Sequence, residues 1–231
     1  METRYYQYHP DAVAFMDADS EIAISRRQLK KLALKLGYGL KNHLLLPPMN
    51  SSSKASSPLV RGDTVMIFSQ NTMSWPTTVF GYALIFLSCR NIVHMLDRCL
   101  AAGLKMTFAS SALTPRELSW QWLDSRACVA FVHPSLVKVV KDMFKLVNIS
   151  NEEADKRIWI MDNLWDDNLP KGDYTTRNWL GYLLRKGELS AEERFDGDRA
   201  DETVYICYSS GTTVCHPERL LLASFHVMCG E

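Results

Sequence analysis

Short apolar runs alternate with stretches of helical periodicity along most of the 231 residues. Residues 12–16 and 21–24 are strand-like runs flanking Asp17-Ala18-Asp19-Ser20, which predicts a hairpin with a polar turn. Ser25 and Gln28 then form an S-x-x-Q capping box, which satisfies two otherwise orphan N–H groups at a helix start. Behind it Leu29, Leu32, Leu36 and Leu40 share one face, opposite Arg27, Lys30, Lys31 and Lys35. Residues 64–68 (Thr-Val-Met-Ile-Phe) have no polar face, as expected of a parallel strand covered by helices on both sides. A helix is expected over 71–81, starting near Ser74 or Trp75, with Pro76 tolerated in its first turn. Residues 105–109 predict a strand. Thr114-Pro115-Arg116-Glu117 is a second capping box with proline at the first helical position, starting a helix that ends near Arg126. A strand over 128–132 follows. His133-Pro134-Ser135 leads into a helix to about Leu146, then come a strand over 157–161, a helix over 176–186 and a strand over 203–208. Strand and helix in alternation predict an α/β fold with a doubly wound sheet.

Composition fits a globular chain, with 47% hydrophobic and 23% charged residues. Lys+Arg and Asp+Glu are both 26, so no field of one sign recruits nucleic acid or an anionic membrane. The six cysteines include no C-x-x-C pair, and the N-terminus has no secretory pattern. Reduced thiols and a cytoplasmic location are the expectation. The longest apolar run, 79–89, is too short to span a bilayer, so no transmembrane segment is expected. Residues 47–58 (Pro-Pro-Met-Asn-Ser-Ser-Ser-Lys-Ala-Ser-Ser-Pro) read as a surface loop inserted between helix and strand.

The strand over 203–208 runs into Ser209, Ser210, Gly211, Thr212 and Thr213. Four hydroxyls surround a glycine that lets backbone approach a ligand, and such a loop can fold around phosphate oxygens. The G-x-x-x-x-G-K-[ST] spacing of the Walker A loop is absent. Tyr208-Ser209-Ser210-Gly211-Thr212-Thr213 resembles the first half of the phosphate loop of acyl-adenylate-forming (AMP-binding) enzymes, the superfamily of the 4-coumarate–CoA ligase-like acid–CoA ligases. Residues 62–81 (Gly-Asp, an apolar strand, Asn, Trp-Pro, Phe-Gly) and 100–118 resemble the same family. The resemblance implies that 1–213 is the N-terminal part of an adenylating domain, a partial doubly wound sheet from the large N-terminal domain of an AMP-dependent ligase. It implies ATP and Mg2+ as cofactors, and a carboxylic acid and CoA as small-molecule partners. The acid attacks the α-phosphate of ATP, pyrophosphate leaves, and CoA takes the acyl group. By resemblance Ser209, Ser210, Gly211, Thr212 and Thr213 are nucleotide-binding.

The match stops there. Val214 stands where the family has a second glycine, and no lysine follows at the family's spacing. Residues 214–231 read as a tail foreign to the family, and 84–99 as a foreign insert. Those sixteen residues would lengthen a helix by about 24 Å at ~1.5 Å per residue, so a retained intron or a faulty gene model is the expected origin. Downstream family parts (the adenine and ribose motifs, the Mg2+-linked acid, the C-terminal catalytic lysine) are absent. The chain is therefore expected to bind ATP weakly and to have no catalytic residue of its own. The alternatives are a non-catalytic protein that associates through an exposed sheet edge, and a fragment of an intact ligase. The C-terminus lacks a peroxisomal Ser-Lys-Leu address. No serine-hydrolase elbow, H-E-x-x-H motif or His/Cys metal spacing occurs. Asp162, Asp166 and Asp167 read as a solvated loop, and His133 as a helix cap at a strand end.

Overall fold

A computed structural model describes residues 9–17, 21–47, 56–72, 74, 75, 78, 102–161, 179–191, 193, 197–199, 201–208 and 222–224. The hairpin is present, with β1 (Val13–Met16) antiparallel to β2 (Ala23–Ser25). Helix α1 (Arg26–His43) starts at the expected capping box, with Ser25 Oγ accepting from Gln28 N–H and Gln28 Oε1 accepting from Ser25 N–H. A two-residue ladder of β3 (Leu45–Leu46) and β4 (Ser57–Pro58) joins the ends of the Ser/Pro-rich loop; residues 48–55 lie outside the described residues.

The main sheet is built from β5 (Thr64–Phe68), β6 (Lys105–Ala109), β7 (Ala127–Val132), β8 (Ile158–Ile160), β9 (Tyr205–Tyr208) and β10 (Leu222–Ser224), in the order β10-β9-β6-β5-β7-β8. Five strands are parallel; β10 runs antiparallel to β9. All five residues of β5 are buried, because the strand is central and covered on both faces. Val65 pairs with Met106 on one side and Val129 on the other. Between Thr64↔Ala127 and Val65↔Val129 the register skips Cys128, a bulge at the start of β7.

Alternate residues separate two cores. Val65, Ile67, Met106, Val129, Phe131 and Trp159 face α1 and α5 (Leu180–Leu183). Met66, Phe68, Ala130, Val132, Ile158 and Ile160 face α2 (Pro115–Ser125), α3 (Val137–Leu146) and α4 (Asn151–Arg157). Each large apolar side chain buried this way contributes ~1.5–3 kcal/mol. Trp122 of α2 meets Phe144 of α3 edge to face, with ring centroids 4.8 Å apart. Gln121 of α2 is buried and satisfied, its Nε2 donating to Thr107 Oγ1 at 2.8 Å and to the Phe108 carbonyl at 2.9 Å.

The strands' amino ends are tied by polar contacts between elements. Gly62 N–H donates to the Gly103 carbonyl, and Lys105 N–H to the Asp63 carbonyl. Arg157, with no exposed surface, donates to Glu153 Oε1, to the Cys128 carbonyl and to the Pro47 carbonyl. A buried guanidinium is tolerated because its donors are paired this way.

Several local expectations shift. The strand expected over 157–161 is Ile158–Ile160, and Arg157 belongs to the preceding helix. That helix was not anticipated, although Ser150 caps it by accepting from Glu153 N–H. The helix expected over 176–186 is confined, among the described residues, to Leu180–Leu183. Trp179 is extended and bridges Ile160 at the sheet's far side, which keeps it out of a helix. On its outer side β9 pairs with β10, so the outermost strand there is β10. The insert 84–99 lies outside the described residues. No helix among the described residues is long and apolar enough to cross a membrane.

Candidate functional site

The chain leaves β5 for β6 on one side, then crosses back through α2 to β7 on the other. In such sheets ligands sit beyond the carboxyl ends of the strands where the winding reverses. The carboxyl end of β5 is followed by Ser69 and Gln70, that of β6 by Ser110, that of β7 by His133 and that of β9 by Ser209. At the first three of these points polar residues open turns. Ser69 Oγ donates to the Gln70 carbonyl at 2.7 Å, and Ser110 Oγ accepts from Ala112 N–H at 3.4 Å. Just beyond β5, Thr72 Oγ1 is buried and has no hydrogen-bond partner among the described residues.

His133 behaves as a cap. Its Nδ1 accepts from Ser135 N–H at 3.3 Å and lies 2.7 Å from Ser135 Oγ, at the start of the 3-10 turn Pro134–Leu136. Its backbone N–H donates to the Phe68 carbonyl, which extends the β5–β7 ladder by one step. The cap expected from the sequence is thus observed.

β9 pairs with β6 through Met106↔Tyr205 and Thr107↔Ile206. Tyr205 faces the α1 side, where its ring stacks on Phe108 at 5.7 Å and Phe108 meets Trp75 at 5.6 Å. This aromatic row escaped the sequence reading. Its members come from three segments, and only alternation within each strand hinted that Phe108 and Tyr205 share a face. Tyr208 faces the α2 side and donates from its hydroxyl to Asp124 Oδ2 at 2.6 Å. Burial, then the hydrogen bond and charge of Asp124, push the phenol up from its ordinary value, so it stays a neutral donor. Ser209, Ser210, Gly211, Thr212 and Thr213, the residues expected to bind nucleotide, lie outside the described residues, as do Asp162, Asp166 and Asp167.

Among the described residues one thiol is strongly shifted, and it is remote from this rim. Cys128 is pushed up to about 12, first by burial and then by the Asp63 charge, and its Sγ lies 3.3 Å from the Thr64 carbonyl oxygen. It is a neutral packing group and no nucleophile. Among the described residues no three His, Cys, Asp or Glu side chains gather so as to hold a metal ion.

No protein-family model and no curated protein matches the chain. Solved structures do. An anthranilate CoA ligase in complex with anthranoyl-AMP matches with a TM-score of 0.56, over 88% of this chain and 29% of that one, at 15% identity. A benzoate CoA ligase from Burkholderia xenovorans matches at 0.56, over 86% and 30%, at 14% identity. The luciferase-like enzyme of the nonluminescent mealworm Zophobas morio matches at 0.55, over 86% and 36%, at 15% identity. The fold is that of the large domain of AMP-binding ligases. At this identity the likeness is one of fold, and the chain spans about 30% of the length of the two CoA ligases. The expected α/β sheet of the AMP-binding ligase fold is thereby observed, with the strand that leads to the hydroxyl-rich run as one of its parallel members.

Proposed function

We propose that the chain derives from the N-terminal part of an AMP-dependent acid–CoA ligase of the 4-coumarate–CoA ligase-like group, and that these residues alone do not adenylate an acid. One observation supports the reading above the others. β9 is a parallel strand beside β6, its carboxyl end lies at the rim where α/β sheets in general bind ligands, and its last residue, Tyr208, opens the Tyr-Ser-Ser-Gly-Thr-Thr run. Ser209, Ser210, Gly211, Thr212 and Thr213 then offer backbone N–H groups and hydroxyls to the phosphates of ATP. With Val214 in place of glycine and no lysine at the family's spacing, the run lacks the cation that would stabilise charge as pyrophosphate departs. Weak ATP binding without turnover is the consequence.

The test is pyrophosphate release with Mg-ATP and benzoate or 4-coumarate as the acid. The expected result is no release above that with ATP alone. Release that requires both ATP and the acid would overturn the proposed inactivity.

A second reading, a non-catalytic interaction protein, draws on α2. Trp120 and Leu123 lie one turn apart on it and are 47% and 59% exposed. Equilibrium sedimentation of the purified chain separates the readings: a monomer at micromolar concentration disfavours self-association, and concentration-dependent mass supports it.

A further inference from the structure

The segment leading into β9 is held by charge. Arg61 immediately precedes the Gly62 turn before β5. Its Nη2 lies 2.8 Å from Glu202 Oε2, and its Nη1 lies 3.1 Å from Glu193 Oε2. Its Nε also donates to Glu202 Oε2 at 2.9 Å. Glu193 is shared further with Lys41 of α1 by a short hydrogen bond, and with Arg199 at 3.7 Å. Gly103 makes this possible. Its φ of +71° suits glycine, and a Cβ there would stand 2.9 Å from Arg61 Nη1, so the guanidinium crosses the space a side chain would fill. One cluster thus ties the approaches to β5, β6 and β9 to the end of α1.

β9 needs such help. Its register with β6 covers two residue pairs, whereas β5 and β6 share five. We propose that the Arg61–Glu193–Glu202–Lys41 cluster is a salt-sensitive latch that keeps β9, and the chain's exit at Tyr208, docked on the parallel sheet. With the latch open, β9 and β10 leave together, because β10 pairs with β9. The latch does not depend on nucleotide binding and stands if the adenylate reading fails. Side chains here are between about a quarter and a half exposed, which leaves the pairs within reach of screening ions.

Amide hydrogen exchange on the full chain tests this. Exchange at Tyr205–Tyr208 is compared with exchange at Thr64–Phe68 in wild type, Arg61→Gln and Glu202→Gln. Asp142→Asn is the control, because it breaks an exposed pair with Lys145 on α3, away from the cluster. The latch predicts roughly 5- to 10-fold faster exchange in β9 for both cluster variants, with β5 and the control unchanged. Wild type moved from ~0.01 M to ~1 M sodium chloride, where the screening length falls from about 30 Å to about 3 Å, should show the same selective loosening without any substitution. Equal exchange in β9 across all variants and salts would overturn the proposal. So would parallel acceleration in β5 and β9, which reports global destabilisation.

Discussion

The two rims of the sheet are built by different means. At the amino rim, contacts join residues far apart in sequence: Arg61 with Glu193 and Glu202, Lys41 with Glu193, and Arg157 with Pro47 and Cys128. At the carboxyl rim most polar contacts close within three residues: Ser69 with Gln70, Ser110 with Ala112, Thr114 with Glu117, His133 with Ser135. Longer-range contacts there include Tyr208 with Asp124, and the backbone bonds from His133 to Phe68 and from Met161 to Val132. Long-range contacts fix loops relative to one another, while local ones let each loop shape itself independently. The carboxyl rim is the side on which α/β sheets vary their loops and bind ligands, and here the contacts that hold the strands together lie largely at the other rim.

Removing Arg157 should damage that arrangement most. Arg157→Met leaves the Cys128 and Pro47 carbonyls without their donor and strands the Glu153 carboxylate. A loss of about 3 kcal/mol is expected, read as a lower urea midpoint at unchanged slope. A loss near zero would show that the amino rim does not rely on this side chain. The carboxyl rim should answer more mildly. Thr114→Ala removes the hydroxyl that accepts from Glu117 N–H, at a cost of about 1 kcal/mol. Exchange should quicken only in the first turn of α2; quickening across the sheet would break the contrast between the rims.

The smallest effect is the dependence on pH. Glu193 is held below its ordinary 4.5, chiefly by the Lys41 hydrogen bond and then by the Lys41, Arg61 and Arg199 charges. A depressed carboxyl pKa stabilises the fold above the unfolded value, and the gain is lost as pH falls through the folded value. The melting-temperature gap between wild type and Glu193→Gln should therefore be present at pH 7 and shrink below about pH 4.5. A gap that persists at pH 3 would assign the effect to packing.

Legibility in the sequence followed range. Ser25 with Gln28 and Thr114 with Glu117 were readable because a cap is written in four consecutive residues. β5 was readable because burial on both faces leaves an unbroken apolar run. The helix Asn151–Arg157 was missed because two turns are too short to show a period, although Ser150 and Glu153 spelled its start. Trp179 misled because its place is set by Ile160, a partner outside its own segment. The ion cluster was invisible for the same reason: Arg61 and Glu193 are 132 positions apart. Of the candidate site, the hydroxyl run is legible as a sequence motif only, because it lies outside the described residues. The aromatic row was not legible, since Trp75, Phe108 and Tyr205 meet only after the sheet has formed.

The central position of β5 also sets a timetable for synthesis. Its five buried residues find their first neighbour only when β6 has been made, and their second when Val132 has been added. At ~5–20 residues per second that second partner arrives about 3–13 s after Phe68. Until then Thr-Val-Met-Ile-Phe keeps at least one edge open, in an uncharged β-forming segment of the kind that seeds intermolecular pairing. The strand that anchors the finished sheet is thus the one most in need of shelter on the ribosome.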